Sequence, residues 1–453
     1  MKKSNRIIGS LSLVAAMTLG LTGCGGGGSS SSDSSSGVTE EKKRMVLESY
    51  ADLVNATMAE AVSDAMQMRN KVAEYTENPS QITLQAAKDA WLQSRESYGV
   101  TEIFRLSEGP IDAEDGWVAD AYGALEGQLN AWPLDENMID YTIDASGATT
   151  TGNIVDTEGE FTPNGGETVD VTAITKDTLA ALNENGGDAN VATGYHAVEF
   201  LLWGQDQDYN SFIDDTVTNG SMAAGERPVE DYTSNANADR RSAYINAAAN
   251  LIVDDLVTVA SAWSATASAN CSTDATGCYR GALLGTLEGD DAAKNIGADS
   301  ALHTIMGGMG VFIKSELANE RIAVAVLTPS EEDEHSCFSD NTHRDIALNY
   351  KGFVDVLKVG GDSSMYALSD SETRSAIDTL ITSIDAKVAA VDTAAKTTAH
   401  FDYQIKEGSD TRQTIINMKN EMRDLGDLMV DVAEDFGIDL SESDVTDSEE
   451  TQI

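Results

Sequence analysis

Basic residues are scarce in this chain: 29 lysines and arginines stand against 76 aspartates and glutamates in 453 residues, a formal net charge of −47. Such a surface repels nucleic acid and anionic lipid and attracts cations, although salt screens much of the field. Binding to DNA or RNA is therefore excluded. Proline is rarer still, with six in the whole chain, and alternating strand patterns are few, which leaves long stretches free to be helical. No His-Glu-x-x-His occurs, so the common zinc-protease helix with its built-in general base is absent. A Gly-Lys-Ser phosphate loop and a Gly-x-Ser-x-Gly nucleophile elbow are missing too. Asp206-x-Asp208-x-Asn210 opens like a calcium loop, but Ser211 stands in place of the glycine and Val217 in place of the closing glutamate. No fixed-period repeat is present.

What is there begins with an address. Lys2, Lys3 and Arg6 precede a short apolar stretch, Ile7 to Gly20, and then Leu21-Thr22-Gly23-Cys24. The stretch is short for a membrane span and reads as a signal peptide over 1–23. The last four residues resemble a lipobox, which makes Cys24 the lipidation site. The alternative is an ordinary secreted protein with an incidental cysteine. Residues 24–37 are almost entirely Gly and Ser after the cysteine, a flexible tether. A glycine after Cys24 resembles the outer-membrane sorting pattern, so the expected location is the cell envelope, anchored by lipid and facing the periplasm. Of the other cysteines, Cys271 and Cys278 bracket a small polar turn and are expected to form a local disulfide in an oxidising compartment. Cys337 is left as a buried thiol or a site residue.

Helical periodicity runs over Val38–Tyr75, Leu84–Leu106, Lys176–Leu182, Val191–Trp203, Ala238–Ala265, Ser300–Leu327, His343–Leu357, Glu372–Thr393 and Thr411–Phe436. The expected class is all-α, two packed helical-bundle domains with long polar loops, divided as 38–234 and 235–440. Residues 441–453 form an acidic tail expected to be disordered. Val155 to Val171 reads as a surface loop with room for a small hairpin.

Three groups of residues can carry chemistry. In Gly194-Tyr195-His196-Ala197-Val198-Glu199, His196 and Glu199 are three apart and share a helix face among bulky apolar neighbours. Such a pair is either the centre of a site or a satisfied polar couple in the core. Trp91, Arg95, Tyr98, Glu102 and Arg105 recur at spacings of four and three. They form either an exposed salt-bridged face or, as the interleaved rings suggest, an inward face that brings Glu102 to the same cavity. The third group is dense: His335, Cys337, Asp340, His343 and Asp345 lie within one loop and helix start, with Ser339, Asp340 or Thr342 able to cap the helix. It reads as metal ligation by His335 or His343, or as a polar hub with Arg344 and Asp345 as partners.

Together these segments resemble the imelysin family, in particular its iron-regulated protein A branch. The resemblance rests on Ala90-Trp91 to Arg105, Glu108 to Asp112, Asn130 to Asp135, Gly194 to Gly204, Glu316 to Arg321 and Glu334 to Asp345, and it spans roughly Thr39 to Phe436. It implies two packed helical bundles, export or lipid anchoring, and a Gly-x-His-x-x-Glu site. His196 and Glu199 are carried over as metal-site residues, with Glu102 as an addition. The family is linked both to an insulin-cleaving membrane peptidase and to iron regulation or uptake. A histidine with one or two carboxylates and open positions resembles a non-haem iron shell, whereas no general base for peptide cleavage is identifiable. The resulting expectation is an envelope lipoprotein that binds a divalent or ferric ion, iron favoured over zinc, alongside iron-uptake components. A metal-dependent peptidase using the same residues, or a non-catalytic scaffold, is the alternative.

Overall fold

A computed structural model of the chain describes residues 37–144, 147–206, 224–327 and 334–446. The expected signal peptide, Cys24 and nearly all of the tether lie outside them, as do Asp208 and the rest of the loop to residue 223. The described residues are almost wholly helical. Helix α1 (Glu40–Glu77) starts from a Thr39 cap with Glu40 and Glu41 in its first turn, where carboxylates suit the helix dipole. Its buried residues Tyr50, Val54, Met58, Ala61, Ala65, Met68, Val72 and Tyr75 recur every three or four positions and make one continuous apolar stripe. A reciprocal Ser80–Thr83 capping box starts α2 (Gln81–Gly99). Helices α3 (Gly194–Trp203) and α4 (Ala238–Ser261) complete a first bundle, with α1 packed on both α2 and α4 and α3 on α4. Helix α4 thus belongs with the helices before it, although it follows the division at 234.

The second bundle is α5 (Ala298–Val311), continued by a π-helical segment Phe312–Ala323, with α6 (Thr342–Lys358), α7 (Ser371–Thr397) and α8 (Arg412–Asp435). Helix α8 packs on α5, on the π segment and on α7. The bundles meet where α1 touches α5 and α2 touches α6, and one hydrophobic core runs through both. Between α2 and α3 the chain carries only short helices, Lys176–Leu182 among them, and a small hairpin pairing Glu160–Phe161 with Val169–Asp170 inside the stretch read as a loop. Residues 441–446 depart from the expected disordered tail. Val445 is fully buried against Gly310, where a Cβ would come within 2.6 Å of it, so apolar burial outweighs the local acidity. Residues 447–453 lie outside the described residues.

Cys271 and Cys278 are joined in a disulfide across seven positions, and Cys278 opens a short helix, Cys278–Leu283, beside Trp117. Closing so short a loop constrains the unfolded chain by about 2–3 kcal/mol in the chain-entropy picture. Replacing both cysteines by alanine is expected to lower stability by that amount in denaturant unfolding. An unchanged midpoint would show that the crosslink only duplicates existing packing.

Candidate functional site

The site is built on α3, which is buried on every side: each residue from Gly194 to Trp203 is shielded from solvent. Its first residue explains the leading glycine of the signature. Gly194 has φ +80°, and a Cβ there would fall 2.5 Å from the Leu129 carbonyl oxygen. The Thr193 hydroxyl, just before it, donates to the Gln128 backbone carbonyl and the Asn183 side-chain oxygen and fixes the entry of the helix. At the next residue, Trp91 Nε1 donates to the Tyr195 carbonyl and Ser94 bonds the Tyr195 hydroxyl, locking α3 to α2.

His196 Nδ1 lies 3.0 Å from Glu199 Oε2, and both side chains are fully buried. The other Glu199 oxygen accepts from the Ser339 amide at 3.0 Å and hydroxyl at 2.7 Å. Burial pushes the Glu199 carboxyl up to about 8, against the pull of Ser339 and with Asp345 adding to the rise. Burial, with His335 and Arg95 nearby, holds His196 well below its ordinary range, so its ring is neutral. His196 Nε2 is buried with no hydrogen-bond partner among the described residues.

The ring of His335 stands 4.6 Å from that of His196, centroid to centroid, at 77°. It repeats the same pattern, because His335 Nδ1 is 2.8 Å from Asp345 Oδ2. Trp132 completes the aromatic wall, 4.9 Å from His196 and 6.4 Å from His335. Behind Asp345, Arg95 bonds its other oxygen at 2.9 Å and Asn130 at 2.6 Å, and reaches Glu102 at 3.5 Å. Arg321 closes the chain on Glu102 at 2.6 Å. Burial alone would raise both acids, but the guanidinium groups of Arg95 and Arg321 hold Glu102 low. Arg95, His335 and Ser336 hold Asp345 well below the carboxylate range.

A cavity of about 260 Å³ opens beside this network, with His335, Trp132, Asn130 and Arg321 in its wall. Arg105 also lines it, paired with Glu126 at 3.2 Å and Glu316 at 3.4 Å. Glu184, Asp188 and Glu320 add three more carboxylates. Glu316, Glu320 and Arg321 reach it from the π segment. There the wider i→i+5 turn gathers residues four and five apart onto one face.

The structure corrects two expectations. The Trp91 to Arg105 stripe is not an exposed face: Trp91, Arg95, Tyr98 and Glu102 have no exposed surface. Nor is it one helix. Helix α2 stops at Gly99, where a Cβ would strike Leu348 at 2.9 Å, and the Thr101 hydroxyl takes the Tyr98 carbonyl. A short 3-10 turn, Glu102–Phe104, then carries Glu102 inward. The 335–345 cluster is split. His335 and Asp345 join the site, whereas Asp340 pairs with His400 and its carbonyl contacts His343 Nδ1 at 3.1 Å. Arg344 turns away to Glu96 and Asp392. Cys337 is a buried thiol outside any disulfide. No side chain caps α6, whose N-cap is Asn341. Ser339, named in the sequence only as a capping candidate, instead anchors Glu199. Asn130, Trp132 and Arg321 lay inside matched segments, but nothing in their spacing marked them as site residues.

Set against a metal ion, the donors divide. Neutral imidazoles suit iron, zinc or copper, and the orphaned His196 Nε2 is such a donor. The Glu102 oxygens are taken up by Arg321, Asn130 and Arg95, and those of Glu199 by Ser339 and His196. Among the described residues no group of three or more His, Cys, Asp or Glu side chains is arranged to hold a metal ion. By themselves these side chains do not build a complete metal shell.

Two helical bundles sharing one core, with a buried Gly-x-His-x-x-Glu helix and an ion network at their junction, define an all-α protein with a charged centre between its bundles. The imelysin family model matches residues 47–429, and the chain belongs to that family. The crystal structure of a protein described as an iron-regulated protein A precursor, from Parabacteroides distasonis, has the same fold. It is 15% identical, covers 89% of this chain and 97% of its own, and superposes with a TM-score of 0.62. No curated protein matches the chain.

Proposed function

We propose that this chain captures iron in the cell envelope. It would be tethered to the outer membrane by lipid on Cys24, facing the periplasm, and would hand its metal to iron-uptake components. The observation that carries the reading is that each imidazole is held at Nδ1 by an acidic side chain. Glu199 takes His196 Nδ1 and Asp345 takes His335 Nδ1, which is the arrangement that orients a histidine to bind metal through Nε2. In this reading His196 and His335 are the ligands. Glu199 and Asp345 orient them, and Glu102 balances Arg95 and Arg321. Family membership supports an iron-related role, the acidic cavity favours a cation, and the lipobox-like Leu21 to Cys24 supports the anchor.

Metal titration of the purified chain tests it. Wild type is expected to take up about one equivalent of iron, and His196→Ala and His335→Ala each to lose binding. Glu199→Gln is expected to weaken binding about 10–100-fold, the usual effect of removing an orienting carboxylate. Wild type that takes up no iron, or His196→Ala that binds as wild type does, would overturn the proposal. A second reading, a metal-dependent peptidase, is favoured by one feature. Asp345 orients His335 on a cavity wall, as it would a general base. Chelator-sensitive peptide cleavage lost in His335→Ala would select that reading.

A further inference from the structure

The cavity of about 260 Å³ has a buried floor and an exposed rim that differ in kind. On the floor His335, 4% exposed, lines the cavity with its Nδ1 held by Asp345. The same carboxylate accepts from Arg95 and Ser336, so it accepts at Nδ1 as well. In the neutral ring that leaves Nε2 as an acceptor. Nε2 has no hydrogen-bond partner among the described residues and, unlike His196 Nε2, is not sealed from solvent. The half-buried Trp132 ring stands beside it in the wall, 6.4 Å away between centres. On the rim, Glu184 and Asp188 are exposed carboxylates. Arg105 in the same wall is taken up by Glu126 and Glu316, and Arg321 by Glu102. Burial, Glu126 and Asp188 all push the Glu184 carboxyl up, and no lysine or arginine among the described residues pairs with it.

An unfilled acceptor on the floor, an aromatic ring and a rim short of positive charge ask for one ligand chemistry. An anion is repelled by the rim, and a neutral molecule leaves its charge unmatched. A primary ammonium supplies three N–H donors to the acceptors and is attracted to a tryptophan face. The volume lies at the small end of ligand sites and suits a short molecule. We propose that the cavity binds a compact protonated amine, which donates to His335 Nε2, lies against Trp132 and is balanced by Glu184 and Asp188. The proposal goes beyond the iron reading and does not depend on it, although both use His335. A free diamine and the lysine side chain of a peptide share this chemistry.

Calorimetric titration of the full chain with putrescine, butanediol and a Gly-Lys-Gly peptide, in chelator-treated buffer free of iron, tests it. The tighter-binding amine is expected to exceed butanediol by at least about tenfold, the step that one charge-assisted hydrogen bond supplies. Putrescine binding above the peptide assigns the site to a free amine, and the reverse order assigns it to a basic side chain. Glu184→Gln combined with Asp188→Asn is expected to lose the preference over butanediol. His335→Phe should lose it too without removing a carboxylate, which separates this site from the general acidity of the chain. Should His335→Phe melt early, the rim double variant carries the comparison, because both of its side chains are exposed. Butanediol binding as tightly as the amines overturns the proposal, as does either variant, when folded, binding them as wild type does. If no probe binds, the proposal falls and the iron reading stands untouched, because no iron is present.

Discussion

Gly194→Ala is expected to destabilise the protein by roughly 3 kcal/mol, combining the 1–2 kcal/mol of a left-handed non-glycine residue with a backbone clash. The φ of +80° supplies the first part. The second arises because the added Cβ would lie 2.5 Å from the Leu129 oxygen and 2.7 Å from its carbonyl carbon, and backbone cannot swing aside as a side chain does. Gly116→Ala separates the two effects. Its φ is +71° but nothing lies within 4 Å of the added Cβ, so it should show the conformational part alone, about 1–2 kcal/mol. Denaturant unfolding of both variants checks this. Equal losses would mean that the contact with Leu129 relaxes freely. Because α3 carries both His196 and Glu199, the shift in Gly194→Ala should also loosen the Glu199–Ser339 contact.

Arg95→Met should cost as much or more, about 3–5 kcal/mol, the range for removing one partner of a buried ion pair. Arg95 has no exposed surface, and neither have Asp345 and Glu102, which it serves. Methionine fills much of the volume but leaves Asp345 with an unmatched charge in the core. Arg321 still covers Glu102, so Asp345 bears most of the loss. Arg95→Lys should recover part of it, because a single ammonium cannot reach Asp345, Asn130 and Glu102 together as a planar guanidinium does. The exposed pair Lys71–Glu74, at 2.8 Å, makes the contrast. Lys71→Ala should change stability by under about 1 kcal/mol despite the shorter distance, because water screens the pair. Thermal melting of the three variants would decide it, and an Arg95→Met protein as stable as wild type would show that Asp345 finds another partner or a proton.

Much of the site was legible in the chain because its residues are local. His196 and Glu199 need only helical spacing to share a face, and the apolar run to Trp203 announces burial. Other contacts join distant positions. Ser339 meets Glu199 across 140 positions and Arg321 meets Glu102 across 219. Neither carries a local signal, so the site looked like a lone pair awaiting a third ligand.

The alternation of charge and ring from Trp91 to Arg105 illustrates the limit. Its spacing allowed a solvated face or a buried one, and helical period cannot distinguish them when charges and aromatics share a stripe. The sequence by itself determined that the chain is helical, through scarce proline and three-to-four-residue apolar spacing, and where the signature helix lies. Only the tertiary structure decided what that helix faces. In the packed bundles α2 ends at Gly99, the π turn gathers Glu316, Glu320 and Arg321, and His335 stands beside His196. The physical reason is that periodicity is written into each helix alone. The pairing of buried charges depends on which helices meet, and no single segment encodes that.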